Sequence, residues 1–132
     1  MRAFLSIKYH ADHRNREPIE KITAVLQAAG WETICVTRDI EGWGERSLAA
    51  PALMQRTFAA IAESDLVIVE LSEKGVGLGI EAGYAAACQI PIAVIAPTGS
   101  DISTTLQGIA QQVGWYGSYD EIPALIVETH PG

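Results

Sequence analysis

The stretch that decides the fold runs from Ser64 to Ala87, SDLVIVELSEKGVGLGIEAGYAAA. An apolar run, Leu66-Val67-Ile68-Val69, ends in a polar loop. Three glycines follow at alternate positions, Gly75, Gly77 and Gly79, and a helical pattern then opens with Glu81 in its first turn. A strand, a glycine-rich turn and a helix start bring backbone N–H groups toward a ligand with few side chains in the way. The glycines are read either as a tight turn or as a ligand contact. Glu81 is either a charge that stabilises a helix start or a reacting group, since a carboxylate can attack an electron-poor carbon such as a sugar anomeric centre. The loop is not a Walker loop, because no Gly-Lys-Ser/Thr follows, and its spacing departs from the dinucleotide fingerprint.

Outward from this unit, strand and helix patterns alternate to both ends. Strands are expected at Ala3 to Ile7, Thr33 to Val36, Asp65 to Glu70, Ile92 to Ala96 and Gly114 to Tyr116. Helices are expected at Asn15 to Ala29 (stopped by Gly30), Pro51 to Glu63, Leu78 to Gln89, Ile102 to Gln112 and Glu121 to Val127. Arg38 to Ala50, with Gly42 and Gly44 around Trp43, reads as a loop. Alternation of this kind means β-α-β units with right-handed crossovers, and continuous apolar strands fit a parallel sheet covered on both faces. The fold class is therefore α/β, a flavodoxin-like doubly wound parallel sheet of four or five strands, with residues 1–132 as a single domain. Ligands of such sheets sit beyond the carboxyl ends of the strands, which selects Lys8–Asn15, Arg38–Ser47, Leu71–Gly79 and Thr98–Ser103 as the site.

Composition narrows the partners. The chain has 132 residues, a net charge of −7 and 48% hydrophobic residues. No basic stripe exists to neutralise a phosphate backbone, so a nucleic-acid polymer is not expected, while a single nucleotide is allowed. No apolar run approaches the ~18 residues of a membrane span. The N-terminus passes straight into MRAFLSI, so no signal peptide is expected. Cys35 and Cys88 lie in apolar runs and read as buried, reduced thiols, which places the protein in the cytoplasm. His10, Asp12 and His13 form a short cluster read as solvated rather than metal-binding; no metal and no cofactor are expected.

Asp65-Leu-Val-Ile-Val, the glycine loop, Gly79-Ile-Glu81-Ala-Gly83-Tyr84-Ala85 and Pro91-Ile together resemble the nucleoside 2-deoxyribosyltransferase family. That family includes the 2'-deoxynucleoside 5'-monophosphate N-glycosidases and the CMP hydrolases. The likeness extends from Phe4 to about Tyr116 and is specific between Ser64 and Pro91. It implies a flavodoxin-like homodimer that cleaves or transfers the N-glycosidic bond of a nucleoside or nucleoside 5'-monophosphate. Glu81 matches the family's nucleophile. Arg38 and Trp43-Gly44 resemble the lid of the CMP hydrolases, where Trp43 would stack on a base or else cover the core edge.

Ser103 stands near a serine that reaches a neighbour's phosphate site in the family, and otherwise opens a helix as a cap. Ser6, Lys8 and Tyr9 are expected to orient sugar or phosphate. Two departures stand out. Thr57 occupies the place of a catalytic aspartate eight residues before Asp65, and a threonine cannot act as a carboxylic acid. Gly75 occupies the place of a phosphate-binding serine, leaving only its backbone N–H. Asp39 or Glu70 is then the candidate substitute for the missing acid. Two rivals follow: a non-catalytic nucleotide-binding or sensing module that kept the pocket and lost the acid, and an NAD-cleaving domain of the Toll/interleukin-receptor type.

Overall fold

The computed structural model describes residues 1–126. Its elements are β1 (Arg2–Ser6), α1 (Arg16–Ala28), β2 (Glu32–Ile34), α2 (Ala50–Ala62), β3 (Leu66–Glu70), α3 (Val76–Ala87), β4 (Ile92–Pro97), α4 (Thr104–Ile109), β5 (Gln112–Tyr116) and α5 (Ile122–Leu125), with a π turn at Val36–Ile40 and a 3-10 turn at Tyr119–Glu121. The five strands form one sheet in the order β2-β1-β3-β4-β5. Every pairing is parallel, with Ala3 opposite Leu66 and Ser6 opposite Val69 across the central pair. This is the flavodoxin order, whose topological switch point lies between β1 and β3.

The period of two along the strands explains the layers. On β3, Leu66 and Ile68 pack to one face with Ile19, Ile22 and Leu26 of α1 and Ile122 of α5. Val67 and Val69 pack to the other with Ile61 of α2 and Leu78, Ala82 and Ala85 of α3. Each strand residue is buried on one side or the other, so the whole of β3 is buried. Gly30, with φ +98°, ends α1 in the left-handed conformation that glycine tolerates without strain.

Some boundaries differ from the sequence expectation. The fourth helix ends at Ile109, and Gln112 already belongs to β5, paired with Ala93. The side chain of Gln111 accepts from the N–H of Ile92 at 2.7 Å and the Gln111 N–H donates to the carbonyl of Ile92, so strand pairing takes these residues from the helix. The last helix is shorter than expected, and Val127 lies outside the described residues. Cys88 caps the end of α3 and is exposed, against the expectation of burial: the last helical turn faces solvent although its residues are apolar.

Glu70, at the end of β3, is only 1% exposed. Its carboxylate accepts from the Ser72 N–H at 2.9 Å, the Ser72 hydroxyl at 2.6 Å and the Tyr116 hydroxyl at 2.8 Å. Burial raises its affinity for a proton, and these three donors oppose the shift. The residue ties β3 to β5 and shapes the turn that leads to α3. Among the described residues, no helix is long and apolar enough to cross a membrane.

Candidate active site

β1 and β3 end side by side and their chains leave in different directions. Above them lies a cavity of about 510 Å³. Its walls come from four segments. Ile7, Lys8 and Tyr9 follow β1; Cys35, Val36, Thr37 and Glu41 follow β2; Leu53, Met54 and Thr57 belong to α2; Gly75, Val76, Gly77, Leu78 and Glu81 come from the start of α3. Phe58 of α2 stacks on Tyr84 of α3, with centroids 4.2 Å apart and planes at 17°, which holds together the two helices that carry Thr57 and Glu81.

The glycine stretch is a helix start rather than a loop. Gly75 is the N-cap, and Gly77 and Gly79 lie in the first turn and a half of α3. None of the three has a positive φ. Their contribution is the missing side chain: a Cβ on Gly77 or Gly79 would meet nothing within 4 Å, and one on Gly75 would meet only Lys8. With glycine as the N-cap, no side chain occupies the free N–H groups at the end of the helix. Lys8 reaches the same end and donates to the carbonyl of Lys74 at 3.1 Å. A cation and an uncapped helix N-terminus thus share one end of the cavity.

Glu81 is the sixth residue of α3 and so lies one turn beyond the end where a carboxylate is held by the helix dipole. The expectation of a first-turn charge is corrected accordingly, because the helix begins at Val76. The side chain accepts a hydrogen bond from the Ser6 hydroxyl at the end of β1. Burial pushes its carboxyl up to about 7, with the Ser6 bond pulling in the opposite direction. A half-buried carboxylate facing an apolar cavity, with one hydroxyl donor, is stabilised little as an anion and is poised to change charge near neutrality.

The remaining expected residues divide. Thr57 is in the cavity wall, 1% exposed, and its hydroxyl donates to the Leu53 carbonyl at 2.8 Å. Tyr9 lines the mouth and is 54% exposed. Arg38, Asp39, Trp43 and Glu70 are not in the wall. Arg38 is held by both carboxylate oxygens of Asp39, at 2.7–3.0 Å, and by Thr33; Asp39 also accepts from the Cys35 N–H at 2.8 Å. These bonds spend both side chains on folding the π turn. Glu70 is spent on Ser72 and Tyr116. Trp43 lies against α1, its ring 4.5 Å from the Arg16 guanidinium carbon and edge-on to His13 at 6.2 Å, so it covers the core edge rather than the cavity. Gly79 and Ser103 line a separate groove of about 290 Å³ between α3 and α4. His10 is buried and pairs with Glu73, which removes it from the solvated cluster expected of it.

The sequence selected Arg38–Ser47 after β2 for the site but did not disclose which residues of this region reach the cavity. Cys35, Val36, Thr37 and Glu41 carry no motif, and their place in the wall follows from a π turn that periodicity does not signal. The Cys35 thiol is pushed up to about 11 by burial and is inert at neutral pH.

Fold and cavity define a flavodoxin-like domain with the Glu81 carboxylate at the switch point. No protein-family model matches the chain. A curated protein of Syntrophotalea carbinolica, provisionally named 2'-deoxynucleoside 5'-phosphate N-hydrolase 1, is 33% identical over 103 residues, which span 76% of this chain and 72% of that protein. Two solved structures share the fold: the CMP N-glycosidase of Clostridium botulinum (TM-score 0.67, 20% identity, 94% of this chain and 96% of that one) and a 2-deoxyribosyltransferase of Bacillus psychrosaccharolyticus (TM-score 0.74, 12% identity, 93% and 90%). The chain belongs to the nucleoside 2-deoxyribosyltransferase family, which includes the 2'-deoxynucleoside 5'-phosphate N-hydrolases.

The raised Glu81 carboxyl has a consequence for stability. Its ordinary value is 4.5 and its folded value about 7, so the folded state binds this proton more tightly. The stability it contributes is complete below pH 4.5 and is lost as pH rises through 7. Glu81→Gln removes the ionisation. The variant should melt above the parent at pH 8, by at most about 3 kcal/mol, and nearly with it at pH 4.5. Melting curves displaced equally at both pH values would show that Glu81 is not the group titrating.

Proposed function

We propose that this protein cleaves the N-glycosidic bond of a nucleoside 5'-monophosphate, with Glu81 as nucleophile. The observation that carries the reading is the position of Glu81: inside the switch-point cavity, beyond the helix-dipole end, held by Ser6 and lifted toward neutrality. In its ionised form the carboxylate attacks the anomeric carbon. The C–N bond breaks with its electron pair going to the base nitrogen, which takes a proton from water, and a glycosyl ester remains on Glu81. A second water hydrolyses that ester, releases the sugar phosphate and restores the carboxylate. The hydroxyl of Ser6 fixes the carboxylate so that its other oxygen is free to attack. Lys8 and the free N–H groups at the start of α3 receive the phosphate.

One observation favours a second reading, a binding or sensing module without turnover. The hydroxyl of Thr57 is committed to the Leu53 carbonyl, and neither Asp39 nor Glu70 lines the cavity to protonate the leaving base. General acid catalysis is worth roughly a hundred- to ten-thousand-fold, so turnover without it is slow. We carry the homodimer into the same reading. Exposed Val76, Ile80 and Ile109 lie beside the groove that holds Gly79 and Ser103, an apolar face on which a second copy would close. Sedimentation should give the mass of two chains at micromolar concentration; the mass of one would remove the dimer.

The central test incubates the protein with a panel of nucleosides and 5'-monophosphates and follows free base by chromatography. Base release should fall at least a thousandfold in Glu81→Gln. For the parent, kcat/KM should fall tenfold per pH unit below about 7 and level off above it, since the ionised carboxylate reacts. Undiminished release by the variant would overturn the nucleophile. Tight monophosphate binding with no release by the parent would establish the binding module instead.

The phosphate end is tested separately by calorimetry. A monophosphate should bind about tenfold more tightly than its nucleoside, and Lys8→Ala should remove most of the difference, because the lost contact is a charge-assisted one. Equal affinities for the two in the parent would move the substrate to free nucleosides.

A further inference from the structure

Two polar groups of the cavity have no partner. Thr37 is 3% exposed, and its hydroxyl makes no hydrogen bond among the described residues, although the residue lines the cavity. Glu41 lines the same cavity, and its carboxylate has neither a hydrogen bond nor an ion pair among the described residues. The other polar groups in the wall are engaged or outside the interior: Glu81 with Ser6, Thr57 with Leu53, Lys8 with Lys74, and Tyr9 at the exposed mouth. Thr37 is a buried residue and Glu41 a half-buried one, and both present an unengaged polar group in the cavity wall that a ligand can meet.

Both side chains rise from rigid backbone. The Glu41 N–H donates to the Val36 carbonyl at 2.9 Å, and its own carbonyl accepts from Gly44 at 3.1 Å and Arg46 at 3.0 Å. Arg46 in turn donates to the carbonyls of Asp39 and Ile40, and the Thr37 carbonyl accepts from the Trp43 N–H at 2.8 Å. The turn is anchored by backbone groups and by the side chains of Arg38, Asp39 and Arg46, and none of these bonds uses the side chains of Thr37 or Glu41.

Their place in the fold assigns the part of the ligand they meet. Lys8 and Gly75 lie over β1 and β3, Glu81 and Ser6 meet at the end of β1, and Thr37 and Glu41 follow β2. In the sheet order β2-β1-β3, Thr37 and Glu41 follow the first strand, Ser6 ends the second with Lys8 after it, and Gly75 follows the third, so the recognition end falls on the β2 side and the anion end toward β3. Val36, Leu53 and Met54 give the recognition end apolar walls, which suit the faces of a planar ring.

We infer that Thr37 and Glu41 read the edge of the nucleobase and select bases that carry an exocyclic amino group over their carbonyl counterparts. This inference rests on the nucleotide reading above. A carboxylate accepts hydrogen bonds and donates none, so it pairs with an amino group and repels a carbonyl oxygen at the same position. The hydroxyl of Thr37 is free to donate to the adjacent ring nitrogen of cytosine or adenine. Uracil and hypoxanthine have nearly the same shapes and reverse the pattern, so shape alone does not distinguish them and the polar pair must. A site whose buried polar groups are left unpaired by the wrong ligand rejects it strongly.

The test uses the Glu81→Gln protein, so that binding is read without turnover, and titrates it by calorimetry with dCMP against dUMP and dAMP against dIMP. The amino nucleotides should bind at least tenfold more tightly within each pair. Adding Glu41→Gln, which offers both donor and acceptor in the same shape, should bring each ratio within threefold. Adding Thr37→Val instead, with the fold verified by circular dichroism, should weaken dCMP and dAMP and lower both ratios. Equal binding within the pairs, or a preference that survives Glu41→Gln, would overturn the inference. No binding of any of the four would overturn the nucleotide reading together with it. Amino-selective binding in a protein whose parent releases no base would leave this inference standing and remove only the catalytic one.

Discussion

The parallel pairing of β1 with β3 is the constraint on which the rest depends. It places Ser6 beside Val69 at the sheet's carboxyl edge. The next strand in sequence after β1 adds on one side and the strands after β3 add on the other, so the two connections must separate above the pair. That separation opens the cavity, and β1 delivers Ser6 to the side chain that α3 delivers from above. Register matters as much as order. A slip by one residue would reverse every side chain on β1 and exchange Ser6 with its apolar neighbour Leu5, which removes the hydroxyl from Glu81 and puts a polar group into the core.

The cavity owes its chemistry to where helix α3 begins. An N-terminus at Val76 sets an uncapped end, with Gly75 and Gly77, at the cavity and carries Glu81 one further turn along its wall. Without the dipole's help, burial dominates and the carboxyl rises to about 7. The folded protein therefore bears at high pH a half-buried charge that the Ser6 hydroxyl compensates only in part. Contrast Glu70, more deeply buried yet given three donors. One carboxylate is satisfied by the fold and the other is left to respond to what enters.

The fold was legible in the sequence because continuous apolar runs and 3.6-residue spacing survive folding unchanged. The place of Glu81 in the cavity wall was legible because it stands in a short motif. The misplacements have local causes. Three alternating glycines lower helix propensity and read as loop, yet packing of Leu78, Ala82 and Ala85 on β3 pulls Gly77 and Gly79 into the helix. Arg38, Asp39 and Trp43 looked like site residues because they are polar or aromatic in a loop at the right edge. Side-chain pairing, which spacing does not reveal, consumed the first two, and left-handed Gly42, Trp43 and Gly44 turned the indole onto α1. Thr37 and Glu41 escaped notice for the converse reason: nothing about them is distinctive until their neighbours' bonds are counted.

Charge in the cavity is arranged along its length rather than by its total. The chain carries −7 overall, which at first opposes a phosphorylated ligand. Net surface charge, however, is screened over ~8 Å at physiological salt, while Lys8 and the α3 N–H groups act at hydrogen-bond distance. The carboxylate of Glu41 is set after β2 and Lys8 after β1, so the repulsive group and the attractive one lie in different wall segments. A ligand with a phosphate at one end and an amino-bearing ring at the other meets attraction at both ends. The same ligand reversed would set its phosphate against a carboxylate and its ring against an ammonium. In the reading proposed above, the acidic residue would fix orientation by disfavouring the reversed pose.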